Sequence, residues 1–157
     1  MASDKVLVAY ATKSGVTEDN AKIIANVLKE DGFLVDVVDL RKSNPGYMAN
    51  YGFVVLGSGV RIGKIYDEFY KFLDKNNFNG KKVALFFSSG EAGNQKGISG
   101  FTEKYIKPVL AKYPKIDIVD AEGFGGMMKI LFKTVIDNRD PKKVEAWAKE
   151  LSKKFKS

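Results

Sequence analysis

Five short apolar runs, each followed by a stretch with helical spacing, set the tightest limit on what this chain can fold into. The runs lie at residues 6–10, 34–40, 53–57, 83–87 and 116–122, are rich in Val, Ile, Leu or Phe, and are bounded by Gly, Asp or Asn. Runs of that length and composition predict buried strands. Between them the apolar positions recur every three or four residues. Ala21, Ile24, Ala25 and Leu28 form the first stripe, ended by Asp31-Gly32; Tyr66, Phe69, Phe72 and Leu73 form the second, ended near Asn76-Asn77. Phe101, Tyr105, Val109 and Leu110 mark a third helix, in which Pro108 requires an early or kinked position. The last helix opens at Asp140-Pro141, with the aspartate as cap and the proline in the first turn, and buries Val144, Trp147, Ala148, Leu151 and Phe155. Strands alternating with crossover helices predict an α/β fold, a doubly wound five-stranded parallel sheet with helices on both faces.

The first strand runs straight into Thr12-Lys13-Ser14-Gly15-Val16-Thr17 and then into a helix. A strand that ends in such a turn aims the first free N–H groups of the helix at one point, where the positive end of its dipole also sits. Thr12, Ser14 and Thr17 add hydroxyl donors, and Gly15 lets backbone approach closely. This pattern suits a phosphate monoester. A nucleoside triphosphate loop would need Gly-Lys-Ser/Thr, and a dinucleotide turn Gly-x-Gly-x-x-Gly; neither is present. On these residues alone two readings stay open: a phosphate cradle, or a helix capped by Ser14 or Thr17 with no ligand.

Composition narrows the chemistry. The chain has no Cys and no His, which excludes disulfides, thiolate nucleophiles, imidazole bases and Cys/His metal sites. Demanding chemistry would fall to a cofactor, and neither a catalytic side chain nor a metal site is expected. At 157 residues and 45% apolar, one core and a single domain over residues 1–157 are expected. Residues 1–5 are too short and polar for a signal peptide, and no apolar run approaches the ~20 residues that span a bilayer, so a cytoplasmic location is expected.

Residues 6–15, and Tyr10-Ala11-Thr12-Lys13-Ser14-Gly15-Val16-Thr17 in particular, resemble the flavodoxin signature, in which the first strand enters a Thr/Ser-rich turn around the phosphate of FMN. Gly57-Ser58-Gly59-Val60-Arg61-Ile62-Gly63 follows the third strand where flavodoxin-like proteins carry one isoalloxazine-contacting loop. Ser88-Ser89-Gly90-Glu91-Ala92-Gly93-Asn94 follows the fourth where they carry another. The resemblance spans essentially the whole chain at the level of fold and is sharpest at the first loop. It implies the strand order 2-1-3-4-5, which flavodoxins themselves exemplify, with FMN at the switch point between the first and third strands. It also implies a flavin site built from Thr12, Lys13, Ser14, Gly15, Val16 and Thr17 at the phosphate. Gly57, Ser58, Gly59, Val60, Arg61 and Gly63 would line one side of the ring, and Ser88, Ser89, Gly90, Glu91 and Gly93 the other. Glycines 57, 59 and 63 would let the backbone pass close to the ring; the N–H groups around Ser89 and Gly90 would grip the pyrimidine edge, with Glu91 solvated. Tyr66 is the nearest aromatic, and Trp147, on the apolar stripe of the last helix, is read as core.

The implied function is an FMN-dependent, low-potential electron carrier that shuttles electrons between redox proteins. Its rival is a flavodoxin-like FMN dehydrogenase or quinone reductase, such as a menaquinone-linked protoporphyrinogen oxidase. Arg61 resembles an arginine of those enzymes; otherwise it is a surface residue or pairs with Asp67 or Glu68. Residues 123–136 run from a glycine-rich entry into a strongly apolar stretch, and Met128, Leu131, Phe132 and Val135 at helical spacing predict a helix packed on the sheet. A partner-docking patch and a peripheral membrane contact are the alternatives. With 26 Lys and Arg against 19 Asp and Glu the formal charge is +7, which would steer the protein toward acidic partners such as ferredoxin-like proteins or their reductases. The lysines are dispersed and no aromatic-basic platform is visible, so nucleic acid is not an expected partner.

Overall fold

The computed structural model describes residues 5–13, 15–61, 63–89, 101–125, 127–130, 133–137 and 139–157. Strand β1 (Lys5–Ala11) leads into helix α1 (Gly15–Glu30), and β2 (Leu34–Asp39) follows. The link from β2 to β3 (Phe53–Arg61) holds a single 3₁₀ turn, Met48–Asn50, rather than a crossover helix. After β3 come the short β4 (Lys64–Ile65), α2 (Asp67–Lys75) and β5 (Lys82–Ser89). A π-helical turn, Thr102–Ile106, runs into α3 (Lys107–Lys112); then come β6 (Ile118–Gly125), the two short strands β7 (Met127–Ile130) and β8 (Lys133–Asp137), and α4 (Pro141–Lys156).

The main sheet has the order β2-β1-β3-β5-β6, all parallel, with β4 folded back antiparallel on β3. Discounting that hairpin arm, this is the expected 2-1-3-4-5 order. Side chains alternate along each strand, so Val6, Val8, Tyr10, Phe53, Val55, Ala84 and Phe86 face α1 and α4, while Leu7, Ala9, Val54, Leu56, Val83, Leu85 and Phe87 face α2 and α3. Trp147 lies in the first of these two cores, its ring 5.4 Å from Phe124 and 6.3 Å from Phe86. Its Nε1 donates to Asp120 Oδ2 at 3.2 Å. The expected core role for this tryptophan is the observed one.

Helix ends follow the signals in the sequence. Gly32 takes φ +97°, its N–H donates to Lys29 O and the Phe33 N–H to Leu28 O, a Schellman ending that returns Phe33 to the core beside Leu28. Asp140 accepts from the Lys143 N–H ahead of Pro141. Pro108 stands in the first turn of α3, directly after the π-helical turn, where its missing N–H removes no bond from a regular ladder.

Two expectations are corrected. Residues 57–61 belong to β3 rather than to a loop: Gly57 pairs with Tyr10 and Phe86, Ser58 with Ala11 and Phe87, and Gly59 with Ser88. The described residues of 123–136 form strands rather than the expected helix, and Leu131 and Phe132 lie outside the described residues. Gly123, Phe124 and Gly125 complete β6 against Phe87, Ser88 and Ser89, and the apolar residues beyond them form the antiparallel pair β7–β8, with Met128 opposite Ile136 and Ile130 opposite Lys133.

Gly57 faces the α1 side directly beside Phe86. A Cβ built there would lie 2.1 to 2.5 Å from atoms of that fully buried ring. Gly57→Ala is therefore expected to destabilise the fold by roughly 1–3 kcal/mol, read as a lower urea midpoint at unchanged slope. Combining it with Phe86→Leu should cost less than the sum of the two single changes, because the smaller side chain makes room. Strictly additive losses would show that the new methyl does not meet the ring.

Candidate functional site

Because every long strand runs parallel, the C-terminal ends of β1, β3, β5 and β6 and the N-terminus of α1 share one edge of the sheet. Thr12 follows β1 and is buried; Lys13 is exposed. Gly15 opens α1 with open space around the position a Cβ would take, and Val16 and Thr17 are buried in its first turn. Thr17 lies inside the helix rather than at its cap, so the reading of it as an N-cap is corrected. Ser14, the other proposed cap, lies outside the described residues, as do Gly90, Glu91 and Gly93. Ser88 is buried and Ser89 half-buried at the end of β5.

The hydroxyl of Thr17 is the most telling atom at this edge. It is fully buried, and its Oγ1 has no hydrogen-bond partner among the described residues. A buried hydroxyl without a partner costs about 1–3 kcal/mol, so such an atom needs a reason. Gly59 packs beside it: a Cβ there would lie 2.8 Å from Thr12 Oγ1 and 3.3 Å from Thr17 Oγ1, so only glycine lets the backbone of β3 lie this close to the two hydroxyls. Thr17 stands in the first turn of a 16-residue helix, the end that favours an anion. Neutral hydroxyl donors and the N–H groups of a helix start, with bare backbone at residue 59, suit a phosphate monoester.

The other glycines divide. Gly57 is explained by Phe86, as above, whereas Gly63 takes φ +71° in the turn joining β3 to β4, a conformation that L side chains rarely adopt. Val60 is half-buried and Arg61 exposed at the end of β3. Arg61 lines a cleft of about 580 Å³ together with Lys13, Arg41, Lys64, Ile65, Tyr66, Asp67 and Glu68, four cations against two carboxylates. Its alternative as a partner of Glu68 meets a competitor, for Glu68 Oε1 lies 3.9 Å from Arg41 Nε. A cleft of similar size at the opposite edge of the sheet, beside Phe78 and Ile116, involves none of these residues.

Two contributors were not singled out in the sequence. Asn20 Nδ2 donates to Ser88 Oγ at 2.9 Å, a buried bond that ties α1 to the end of β5. The signal was available: Thr17 and Asn20 are polar on the stripe that α1 turns to the sheet. Arg41 Nη1 donates to Thr12 O at 3.2 Å. No local pattern marks it, since it arrives there only through the pairing of Tyr10 with Asp39. Tyr10, at the end of β1, has its hydroxyl pKa pushed up to about 12, chiefly by burial and then by the charges of Glu18 and Asp39. It stays a neutral phenol across the physiological range.

If the Thr17 hydroxyl is unpaired as described, Thr17→Val should raise the stability of the flavin-free protein by about 1 kcal/mol, seen as a higher denaturation midpoint. A lower midpoint would mean that the hydroxyl is paired.

Comparison with known proteins places this geometry. A family model described as a flavodoxin domain matches residues 7–131. Flavodoxin from Synechocystis sp. is 30% identical over 115 residues, covering 69% of this chain and 67% of that protein. Protoporphyrinogen IX dehydrogenase [quinone] from Escherichia coli strain K12 is 32% identical over 72 residues, 46% of this chain, and the match spans only 40% of that protein's length. The crystal structure of oxidised flavodoxin 1 from Bacillus cereus superposes with a TM-score of 0.67 at 21% identity, over 95% of this chain and 97% of that one. The strand order and the family match agree: the chain belongs to the flavodoxin family of FMN-binding redox proteins.

Proposed function

We propose that this chain, acting as a single domain over residues 1–157 in the cytoplasm, is a low-potential electron carrier that moves electrons between redox proteins. The observation that carries the flavin part of this reading is the buried Thr17 hydroxyl, without a partner among the described residues, next to Thr12 and the backbone of Gly59. FMN, when bound, supplies the redox chemistry. The residues of this chain bind and orient it. Thr12, Thr17 and the N-terminus of α1 take the phosphate, Asn20 and Ser88 fix the distance between α1 and β5, and the turn at Gly63 sets the course of the chain after β3. No imidazole or thiol exists in the sequence to act as acid, base or nucleophile, so the redox chemistry would rest with the flavin. Lys13, Arg41, Arg61 and Lys64 around the cleft raise the local positive potential and favour an acidic partner, such as a ferredoxin-like protein or its reductase.

A second reading is a quinone-linked FMN dehydrogenase. It draws support from the partial match to the E. coli enzyme, from Arg61 in the lining of the cleft, and from the antiparallel β7–β8 pair that follows β6 in the chain.

The two readings separate in one pair of assays. A carrier loaded with FMN and chemically reduced should pass electrons to an acidic [2Fe–2S] ferredoxin at a rate that falls about tenfold from low to high salt. It should show no sustained turnover of protoporphyrinogen with a menaquinone analogue. Steady quinone turnover, with a ferredoxin rate indifferent to salt, would favour the dehydrogenase.

A further inference from the structure

The peptide unit joining Thr12 to Lys13 is gripped at both ends. Its carbonyl accepts from Arg41 Nη1 at 3.2 Å, and its N–H donates to the hydroxyl of Tyr66 at 3.1 Å. In a trans peptide the C=O and N–H point in opposite directions, so an arginine that holds the carbonyl on one side aims the N–H to the other. Both anchors are themselves fixed. The Arg41 N–H donates to Asp39 Oδ1 at 3.0 Å, and its guanidinium lies 3.9 Å from Glu68 Oε1. The Tyr66 N–H donates to Ser58 Oγ at 3.2 Å, and that hydroxyl donates to Gly59 O at 2.7 Å. The start of α2 thus holds the loop peptide twice, directly through Tyr66 and indirectly through Glu68 and Arg41.

The Tyr66 ring also reaches the cradle. The point where Gly59 would carry a Cβ lies 3.4 Å from Tyr66 Cε2, the ring atom two bonds from the hydroxyl oxygen, as well as 2.8 Å from Thr12 Oγ1 and 3.3 Å from Thr17 Oγ1. Three hydroxyl-bearing side chains converge there. A phenol that accepts from an N–H keeps its own proton to donate, and the bond it accepts polarises the one it gives.

We propose that Tyr66 is a phosphate-binding residue of the flavin site, donating its O–H to the phosphate while accepting from the Lys13 N–H, and that Arg41 is a positioning residue that keeps the Thr12–Lys13 peptide turned for this relay. The inference rests on the phosphate reading of the loop, and it gives a phosphate ester one donor more than the two threonines and the helix end supply. Arg41 and Tyr66 come from different strand ends and meet only in the fold, so the device belongs to the tertiary structure rather than to the loop motif.

The test compares FMN with riboflavin, which shares the ring and lacks the phosphate, by flavin fluorescence on the flavin-free wild type, Tyr66→Phe, Arg41→Gln and Arg41→Lys. The wild type should bind FMN far more tightly than riboflavin. Tyr66→Phe, which keeps the ring and its packing, should weaken FMN by about tenfold or more, the worth of one hydrogen bond to a charged group, and leave riboflavin unchanged. Arg41→Lys retains the charge but not the forked donor, so it should weaken FMN nearly as much as Arg41→Gln does. Amide exchange at Lys13 in the flavin-free protein should quicken in all three variants. A wild type that binds both flavins equally would overturn the phosphate reading itself. A wild type that discriminates, with Tyr66→Phe unaffected, would overturn the role of Tyr66 alone. Equal weakening of FMN and riboflavin in Tyr66→Phe would place Tyr66 on the ring instead. Full FMN affinity in Arg41→Lys would reduce Arg41 to a charge and overturn its positioning role.

Discussion

The parallel register between β1 and β3, Val6 opposite Phe53 through Ala11 opposite Ser58, is the constraint on which the site depends. Parallel pairing sends the ends of both strands to one edge, and this register brings Thr12, the next residue of β1's chain, level with Gly59. β5 continues the pattern, setting Ser88 opposite Gly59, and β6 sets Phe124 opposite Ser88. Slipping any of these pairings by one residue would turn its buried side chains to the other face. The position of the phosphate cradle follows from the same apolar alternation that builds the two cores.

Within that frame, stability and binding pull against each other at a few atoms. Thr17 keeps a hydroxyl in a fully buried place with no partner among the described residues, close to Gly59, where a Cβ would meet Thr12 Oγ1 at 2.8 Å. An unpartnered buried hydroxyl is unfavourable to an empty protein and favourable to one in which it donates to an anion. The donors at the cradle are neutral, while the cations Lys13, Arg41, Arg61 and Lys64 stand around the neighbouring cleft. In the proposed site, short-range recognition would come from hydroxyls and helix N–H groups, and long-range attraction from the rim, where exposure and salt screening limit what each charge contributes.

The sequence made the fold legible wherever the decisive information was local. The strand-turn-helix at residues 6–28, the Asp31-Gly32 ending and the Asp140-Pro141 start depend on near neighbours, and each forms as its residues suggest. Residues 123–136 misled because an apolar stretch this short satisfies a helical period and a strand pair equally; the choice between them is made by pairing, which places Gly123 to Gly125 on β5. Nothing in the sequence hinted at a second reason for Gly57: the atoms that exclude a side chain there are on Phe86, a neighbour only through the β3–β5 register. Arg41 gave no signal for the same reason. Its place beside Thr12 exists only once β2 is laid along β1.

The most direct test of this account is a crystal structure of the protein with FMN. It should show phosphate oxygens within hydrogen-bond distance of Thr17 Oγ1 and Thr12 Oγ1, at the N-terminus of α1 and beside Gly59. A phosphate seated instead among Arg61, Lys64 and Lys13 in the neighbouring cleft, with the Thr17 hydroxyl still without a partner, would contradict it.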